Sequence, residues 1–347
     1  MVCTVAEQTV VLKEPAFGSE ATFWVDVGHT CADLRLQGVP VLFCPYTREQ
    51  YASSDSLAGI PFLHPWANRL SSSCWRFQET FVTLSSQTPC LRDAYNRPLH
   101  GLCLKTPAWK LRREPDGPEL RLCRLDSGFH SRLLWTPEHP DFEAFPFHHD
   151  VEMQVQLHNG LLRITTTVRN LDCKTMPVGF GFHPYFSFAG YKRAQITLSL
   201  CAQRMWLLNA ELLPTGMSVP IEQFHPTPWA LPLQDVELDH LFSVGKGHPE
   251  QVAVKRTSQT IGQAATRFGI HFPDAVVWVN FEQGYDFAVL YAPSGQDFVC
   301  IEPMTVPSNA FVFAERGDWR PLPTLEPGAS YRAVFSIERV PRMYSAD

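Results

Sequence analysis

The sequence predicts an all-β protein built of antiparallel sheets stacked on one another, with few short helices. Three observations predict it. Twenty-nine prolines and twenty glycines cut the 347 residues into short segments. Most of those segments are rich in β-branched and aromatic residues, which suit a pleated, half-buried surface. No fixed-period repeat runs through the chain, which argues against a propeller or solenoid and leaves packed sheets.

Taken in order, strands are expected at 22–27, 32–36, 81–85 and 120–125, each bounded by Gly, Pro, Asn, Asp or Ser. The clearest pair follows. Apolar residues alternate with polar ones over 151–157 and again over 162–168, and His158-Asn159-Gly160 lies between them. Asn and Gly tolerate the positive φ of a tight turn, so this is a hairpin. Further strands are expected at 195–200, 276–281, 287–291, 298–302 and 331–337, and weak helical patterns at 47–58 and 259–268. The proline-rich stretch 214–232 carries Ile221, Phe224, Trp229 and Leu231, which suits a loop laid over a sheet better than a linker. The chain is therefore expected to fold as one domain, 1–347.

Composition narrows the function. Hydrophobic residues make up 45% and charged residues 18%, a globular profile. Net charge is −6 with no run of Lys or Arg, which speaks against nucleic-acid binding. No apolar stretch approaches a membrane span. Ten cysteines occur without a C-x-x-C pair, so zinc ribbons and redox pairs are not signalled. Met1–Glu7 lacks the basic start and apolar run of a secretory signal, and a cytoplasmic protein with reduced thiols is expected. Signatures of α/β-hydrolases, zincins and P-loop enzymes are missing from the sequence. His148-His149 has ligand chemistry, but neighbouring strand residues face opposite ways, and no metal site is expected there.

Five short motifs carry possible chemistry. Gly179-Phe180-Gly181-Phe182-His183-Pro184-Tyr185-Phe186 sets one imidazole among aromatic rings. Such a histidine is a core residue or a general acid, and a nearby carboxylate would keep it protonated. Glu302, in Phe298-Val299-Cys300-Ile301-Glu302-Pro303, shares a strand face with Cys300. Held extended at a strand end by Pro303, it is placed as a general base whose pKa burial would raise, or as a carboxylate facing solvent. Arg69 follows Asn68 at the end of an apolar loop; its planar fork suits vicinal hydroxyls or a structural ion pair. His100 precedes Gly101, where backbone can approach a ligand or simply turn. Asp239 can accept hydroxyl protons or close a turn. Some of the aromatic residues, 12% of the chain, are expected to form a sugar platform.

The order of these motifs is more specific than any one of them. Asn68-Arg69, Leu99-His100-Gly101, His183-Pro184-Tyr185-Phe186, Leu238-Asp239-His240-Leu241-Phe242 and Glu302-Pro303-Met304-Thr305 with Asn309-Ala310-Phe311 resemble the aldose 1-epimerase (galactose mutarotase-like) family over roughly 20–340. The resemblance implies a large antiparallel β-sandwich with its site in a cleft on one sheet's concave face. It implies a small sugar as substrate, with Glu302 as base and His183 as acid. Asn68, Arg69, His100 and Asp239 would hold the sugar, and neither metal nor organic cofactor is needed. One departure marks a divergent branch: Leu63-His64-Pro65-Trp66 stands where galactose mutarotases carry Gly-Arg-x-x before Asn-Arg. Two alternatives remain open. One is a hexose-phosphate epimerase drawing on His64, Arg92, Arg97 and Lys105; the other is a sugar-binding module without catalysis.

Overall fold

The computed structural model describes residues 2–6, 8–112, 128–245, 266–317 and 322–342. Its strands form a nine-stranded and an eight-stranded antiparallel sheet, with a five-stranded sheet at the N-terminal end. The five-stranded sheet is a meander of Val2–Ala6, Thr9–Glu14, Ser19–Trp24, Thr30–Leu36 and Val39–Pro40.

The nine-stranded sheet is nucleated by the expected hairpin. His149–His158 pairs with Leu161–Asn170, and Asn159 and Gly160 turn the chain with φ of 53° and 72°, the left-handed pair that a two-residue turn requires. Alternation then does what the sequence requires. Val151, Met153, Val155 and Leu157 are all buried, while Glu152, Gln154 and Gln156 are partly exposed. Gly128–Trp135 flanks the hairpin on one side and Ser330–Pro341 on the other, followed by Ala275–Gln283 and Thr266–His271.

The eight-stranded sheet carries the site. Its order is Pro214–Pro220, Ala202–Leu208, Leu238–Val244, Phe287–Ala292, Phe298–Met304, Gly181–Phe182 and Phe62–Leu63, with Tyr185–Ser187 also paired to Phe298–Met304. One face of its central strands presents Phe242, Ala288, Leu290 and Ile301 to the main core, which also takes Val155, Ile164 and Phe335 from the nine-stranded sheet. The other face presents Leu241, Val289 and Met304 to a smaller apolar cluster. Beside that cluster the functional side chains gather.

Several expectations need correction. Glu302 is not at a strand end: Phe298–Met304 runs on through Pro303. The proline-rich stretch is not all loop. Pro214–Pro220 is a strand at the sheet edge, where a missing N–H costs no ladder bond. The helical pattern at 259–268 falls outside the described residues up to 265, and from Thr266 the chain is strand. The strand expected at 120–125 also lies outside them. The pattern at 47–58 reduces to Arg48–Ala52, started by a capping box between Thr47 and Gln50 and ended at Ser53. Among the described residues no helix is long and apolar enough to cross a membrane, and no two cysteines are joined.

Candidate functional site

Strand register brings the two central groups together. Gly181 lies opposite Met304 and Tyr185 opposite Cys300. Counting inward from both ends, His183 falls opposite Glu302, and directly opposed residues share a sheet face. His183-Pro184 falls between the short strands Gly181–Phe182 and Tyr185–Ser187, both of which pair with Phe298–Met304. His183 Nε2 is 3.2 Å from Glu302 Oε1. His183 is 5% exposed and Glu302 1%, which places their contact in a nearly dry environment.

The same face supplies the neighbours. Asp239 is opposite Tyr291, and Tyr291 is opposite Cys300, so a row from Asp239 to Tyr185 runs beside the Glu302–His183 row. The Tyr185 ring stacks on His183 at 4.5 Å between centroids, and Tyr291 meets it edge-on at 6.1 Å. His240, next to Asp239 on the strand, packs instead against Phe224 at 5.3 Å.

Arg69 and His100 arrive on loops from outside the sheet. Asn68 is left-handed, with φ of 60°, and its Oδ1 accepts from the Arg69 backbone N–H and from Arg69 Nη1. The guanidinium then sits between two carboxylates, with Nε 3.5 Å from Asp93 Oδ2 and Nη2 3.5 Å from Asp239 Oδ2. Asn309, also left-handed, accepts from the Ser71 N–H through Oδ1 and donates its own N–H to Arg69 O. His100 has φ of 63°, a conformation costing about 1 kcal/mol. Its N–H is held by Asn68 O, and its ring lies edge-on to His183 at 5.2 Å. The expected role of Gly101 changes: an added Cβ there would come within 2.2 Å of His64 O, so its smallness lets two backbone segments touch.

All six residues expected at the site (Asn68, Arg69, His100, His183, Asp239 and Glu302) line one cavity of about 680 Å³, shared with Tyr185 and Tyr291. Glu302 Oε2 and the Nδ1 atoms of His100 and His183 are buried without a hydrogen-bond partner. Buried polar atoms are seldom left so, and where they are, a ligand is one explanation. Burial pushes the Glu302 carboxyl well above the usual carboxylate range, Asp239 pushes it further, and Arg69 pulls it back. Burial lowers His183 to about 3, against the pull of its own backbone, and Arg69 adds to the lowering. The expectation that a neighbouring carboxylate keeps His183 protonated is therefore reversed. In so dry a place the pair is most stable uncharged, with one shared proton resting toward Glu302. His100 is also held well below its usual range, by burial and then by His183 and Arg69. Asp239 is raised by burial, with Arg69 opposing.

Asp93 was not picked out from the sequence. Its signal was an Asx turn, in which Oδ1 accepts from the Tyr95 and Arg97 N–H groups. That pattern marks a loop but not the charge the loop delivers. The four basic residues considered for a phosphate are committed elsewhere. Lys105 Nζ donates to Ser54 O and Ser56 O, and also to Tyr51 O. Arg97 pairs with Glu211, and His64 is buried against His149. Arg92 reaches the cavity edge, but its guanidinium donates to Ser85 O and Asn96 O. Among the described residues no group of three or more His, Cys, Asp or Glu could hold a metal ion.

Residues 16–338 match the family model described as Aldose 1-epimerase. The chain belongs to that family. Its relatives are distant: the uncharacterized protein YihR of Escherichia coli K12 is 22% identical over 338 residues, spanning 95% of this chain and 92% of its own. A galactose mutarotase-like protein from Clostridium acetobutylicum superposes with a TM-score of 0.79 at 19% identity, covering 98% of both chains. The galactose 1-epimerase of Lactobacillus acidophilus NCFM gives 0.69 at 14%, again covering 98% of both. These likenesses establish the galactose mutarotase-like sandwich fold, and family membership supports an epimerase-like role on carbohydrates.

Proposed function

We propose that this family member interconverts the α and β anomers of a free aldose by acid/base ring opening and reclosure. The carrying observation is the 3.2 Å contact between His183 and Glu302 within the cavity that also holds Arg69, His100 and Asp239. The hydroxyl oxygen and the ring oxygen of a pyranose share the anomeric carbon. Groups that act on both must lie side by side, as these two do.

In the opening step Glu302 takes the proton from the anomeric hydroxyl while His183 gives one to the ring oxygen. The bond from carbon to ring oxygen breaks and the aldehyde forms. Rotation about the C1–C2 bond presents the other carbonyl face. The ring hydroxyl then attacks, returning its proton to His183, and Glu302 returns one to the new anomeric oxygen. The pair begins with its proton on His183 and reaches the open aldehyde with it on Glu302. Burial favours the second arrangement; Arg69 stabilises the Glu302 carboxylate of the first but works against its protonated His183. Arg69, Asp239 and His100 would hold the remaining hydroxyls.

A free sugar is favoured over a phosphorylated one because the nearby basic side chains are already bonded to backbone carbonyls, to Glu211 or to His149. The test is saturation-transfer NMR on a panel of free and phosphorylated aldoses. Exchange between anomer signals above the buffer rate, abolished by Glu302→Gln, is expected. Sugar affinity without exchange would leave a binding module, and turnover of phosphorylated aldoses alone would overturn the choice of substrate.

A further inference from the structure

Two histidines singled out in the sequence have no part in this chemistry. His64 occupies the place where the sequence departs from the galactose mutarotases, and His149 belongs to the His148-His149 pair set aside as a metal site. The fold brings them together from 85 residues apart, Nε2 to Nε2 at 2.8 Å. Both are buried, at 1% and 0% exposure. Phe62 stacks on His64 at 5.6 Å, Trp135 stacks on His149 at 6.0 Å, and Phe145 meets both rings edge-on.

The protons can be assigned. His149 Nδ1 is 2.7 Å from Phe147 O, which only accepts, so Nδ1 carries the hydrogen. The neutral His149 ring then offers a lone pair at Nε2, and His64 must donate from its own Nε2. Burial keeps both rings below the ordinary imidazole range, His149 at about 4, so the neutral forms hold. The chain of donors runs one way, from His64 to His149 to Phe147 O.

What His64 anchors gives the pair its significance. Segment 61–69 is the spine of the site. Pro61 O accepts the His183 N–H, and Leu63 pairs with Gly181. His64 O accepts from the Leu102 and Cys103 N–H groups just past His100, and Asn68 O accepts from His100 itself. Asn68 and Arg69 end the spine. Its backbone thus holds four of the site's side chains in place, and the His64 ring fastens it to the His149–His158 strand of the opposite sheet.

We propose that His64 and His149 are positioning residues: their directed hydrogen bond sets the spine that places His100 and His183 against Glu302. The inference rests on the anomerase reading for its kinetic readout but not for its spectroscopic one. Histidine-selective 15N NMR on the full chain should show His149 with its proton at Nδ1 and His64 with its proton at Nε2. His64→Leu removes the donor but keeps an apolar core side chain; it should shift the His100 and His183 ring signals. His64→Gln presents an amide N–H near the Nε2 position and should leave those signals close to their original places.

In turnover His64→Leu should lose about a hundredfold in kcat with KM within a few-fold, as expected of slight misplacement, and His64→Gln should recover most of it. If wild-type protein turns over no aldose, the function fails while the NMR arm still judges the pair. Reversed tautomers, unmoved His100 and His183 signals in a folded His64→Leu protein, or equal kinetic losses in the Leu and Gln variants would each overturn the positioning role. A Leu variant too unstable to purify shifts the decision to His149→Gln. That variant takes away the donor to Phe147 O, and it must move the same two ring signals for the proposal to stand.

Discussion

Two buried pairs built around imidazoles, His64–His149 and His183–Glu302, are made differently. His64 and His149 are walled by aromatic rings, and a directed chain of donors accounts for three of their four ring nitrogens. His183 and Glu302 also touch, at 3.2 Å against 2.8 Å, yet Glu302 Oε2 and His183 Nδ1 lack partners and the pair faces a cavity. Burial disfavours charge in both. The largely satisfied pair can only hold things in place, whereas the unsatisfied one has bonding capacity left for a substrate. The comparison separates structure from chemistry better than residue type does, since both pairs contain a histidine among aromatic rings.

The largest expected effect tests the open pair. Glu302→Gln keeps the shape and removes the proton acceptor, so kcat should fall about a thousandfold, within the range of general acid–base catalysis. Stability should move the opposite way. The folded protein holds the Glu302 proton above the pH at which an unfolded glutamate gives it up, so this one group's contribution to stability declines as pH rises past about 4.5, against the trend set by the buried histidines. The glutamine variant escapes that decline and should unfold at equal or higher denaturant than wild type at pH 8. A variant both inactive and markedly less stable there would place Glu302 with the structural pair instead.

Acid should expose what the pairs share. His29 and His183 are held at about 3, His149 and His271 at about 4, all chiefly by burial. The unfolded chain protonates such rings below about 6.5, the folded one does not. The unfolded state therefore binds more protons in that window, and stability falls as pH drops from 6.5 toward 4. Denaturant midpoints at pH 7, 6 and 5 should decrease in step, and His149→Gln should flatten the slope. A midpoint unchanged from pH 7 to 5 would contradict the neutral assignment of these rings.

How much of this was legible in the sequence depends on the distance over which each feature is determined. The hairpin across Asn159-Gly160 was readable because alternation and turn are local. Helix Ala310–Arg316 was not: it has no side-chain N-cap, its Asn309 start is left-handed, and Ala310, Phe311 and Val312 are all buried, so no amphipathic stripe shows. Of the pattern read as helix at 259–268, the part from Thr266 on is strand, where Thr266, Phe268 and Ile270 alternate as a strand requires. At the site, Glu302, His183, Arg69, His100 and Asp239 each announce a chemistry in a short motif. Their face-to-face placement needed the register of Gly181 on Met304. The His64–His149 bond and the Arg69–Asp93 contact belong to tertiary structure alone, and no local pattern carries them.

Asp93 offers the finest probe of the comparison, because it acts on the open pair through charge and does not touch the closed one. Its Oδ1 accepts two backbone N–H groups and its Oδ2 faces Arg69 Nε at 3.5 Å. Asp93→Asn keeps an oxygen for the turn and removes one of the two negative charges flanking the guanidinium. Arg69 then acts with less compensation on Glu302, whose carboxyl it already pulls down. The base should ionise at lower pH, so the acid limb of kcat/KM shifts downward in pH. A carboxyl with lower pKa is a weaker proton acceptor, and activity on the plateau should drop about tenfold, a change of roughly 1.4 kcal/mol. The His64 and His149 ring signals should stay where they are. Asp93→Ala, which also breaks the turn, should lose more and move Arg69 itself. If Asp93→Asn leaves the acid limb unmoved, Arg69 does not govern the proton on Glu302, and its part at the site reduces to gripping hydroxyls.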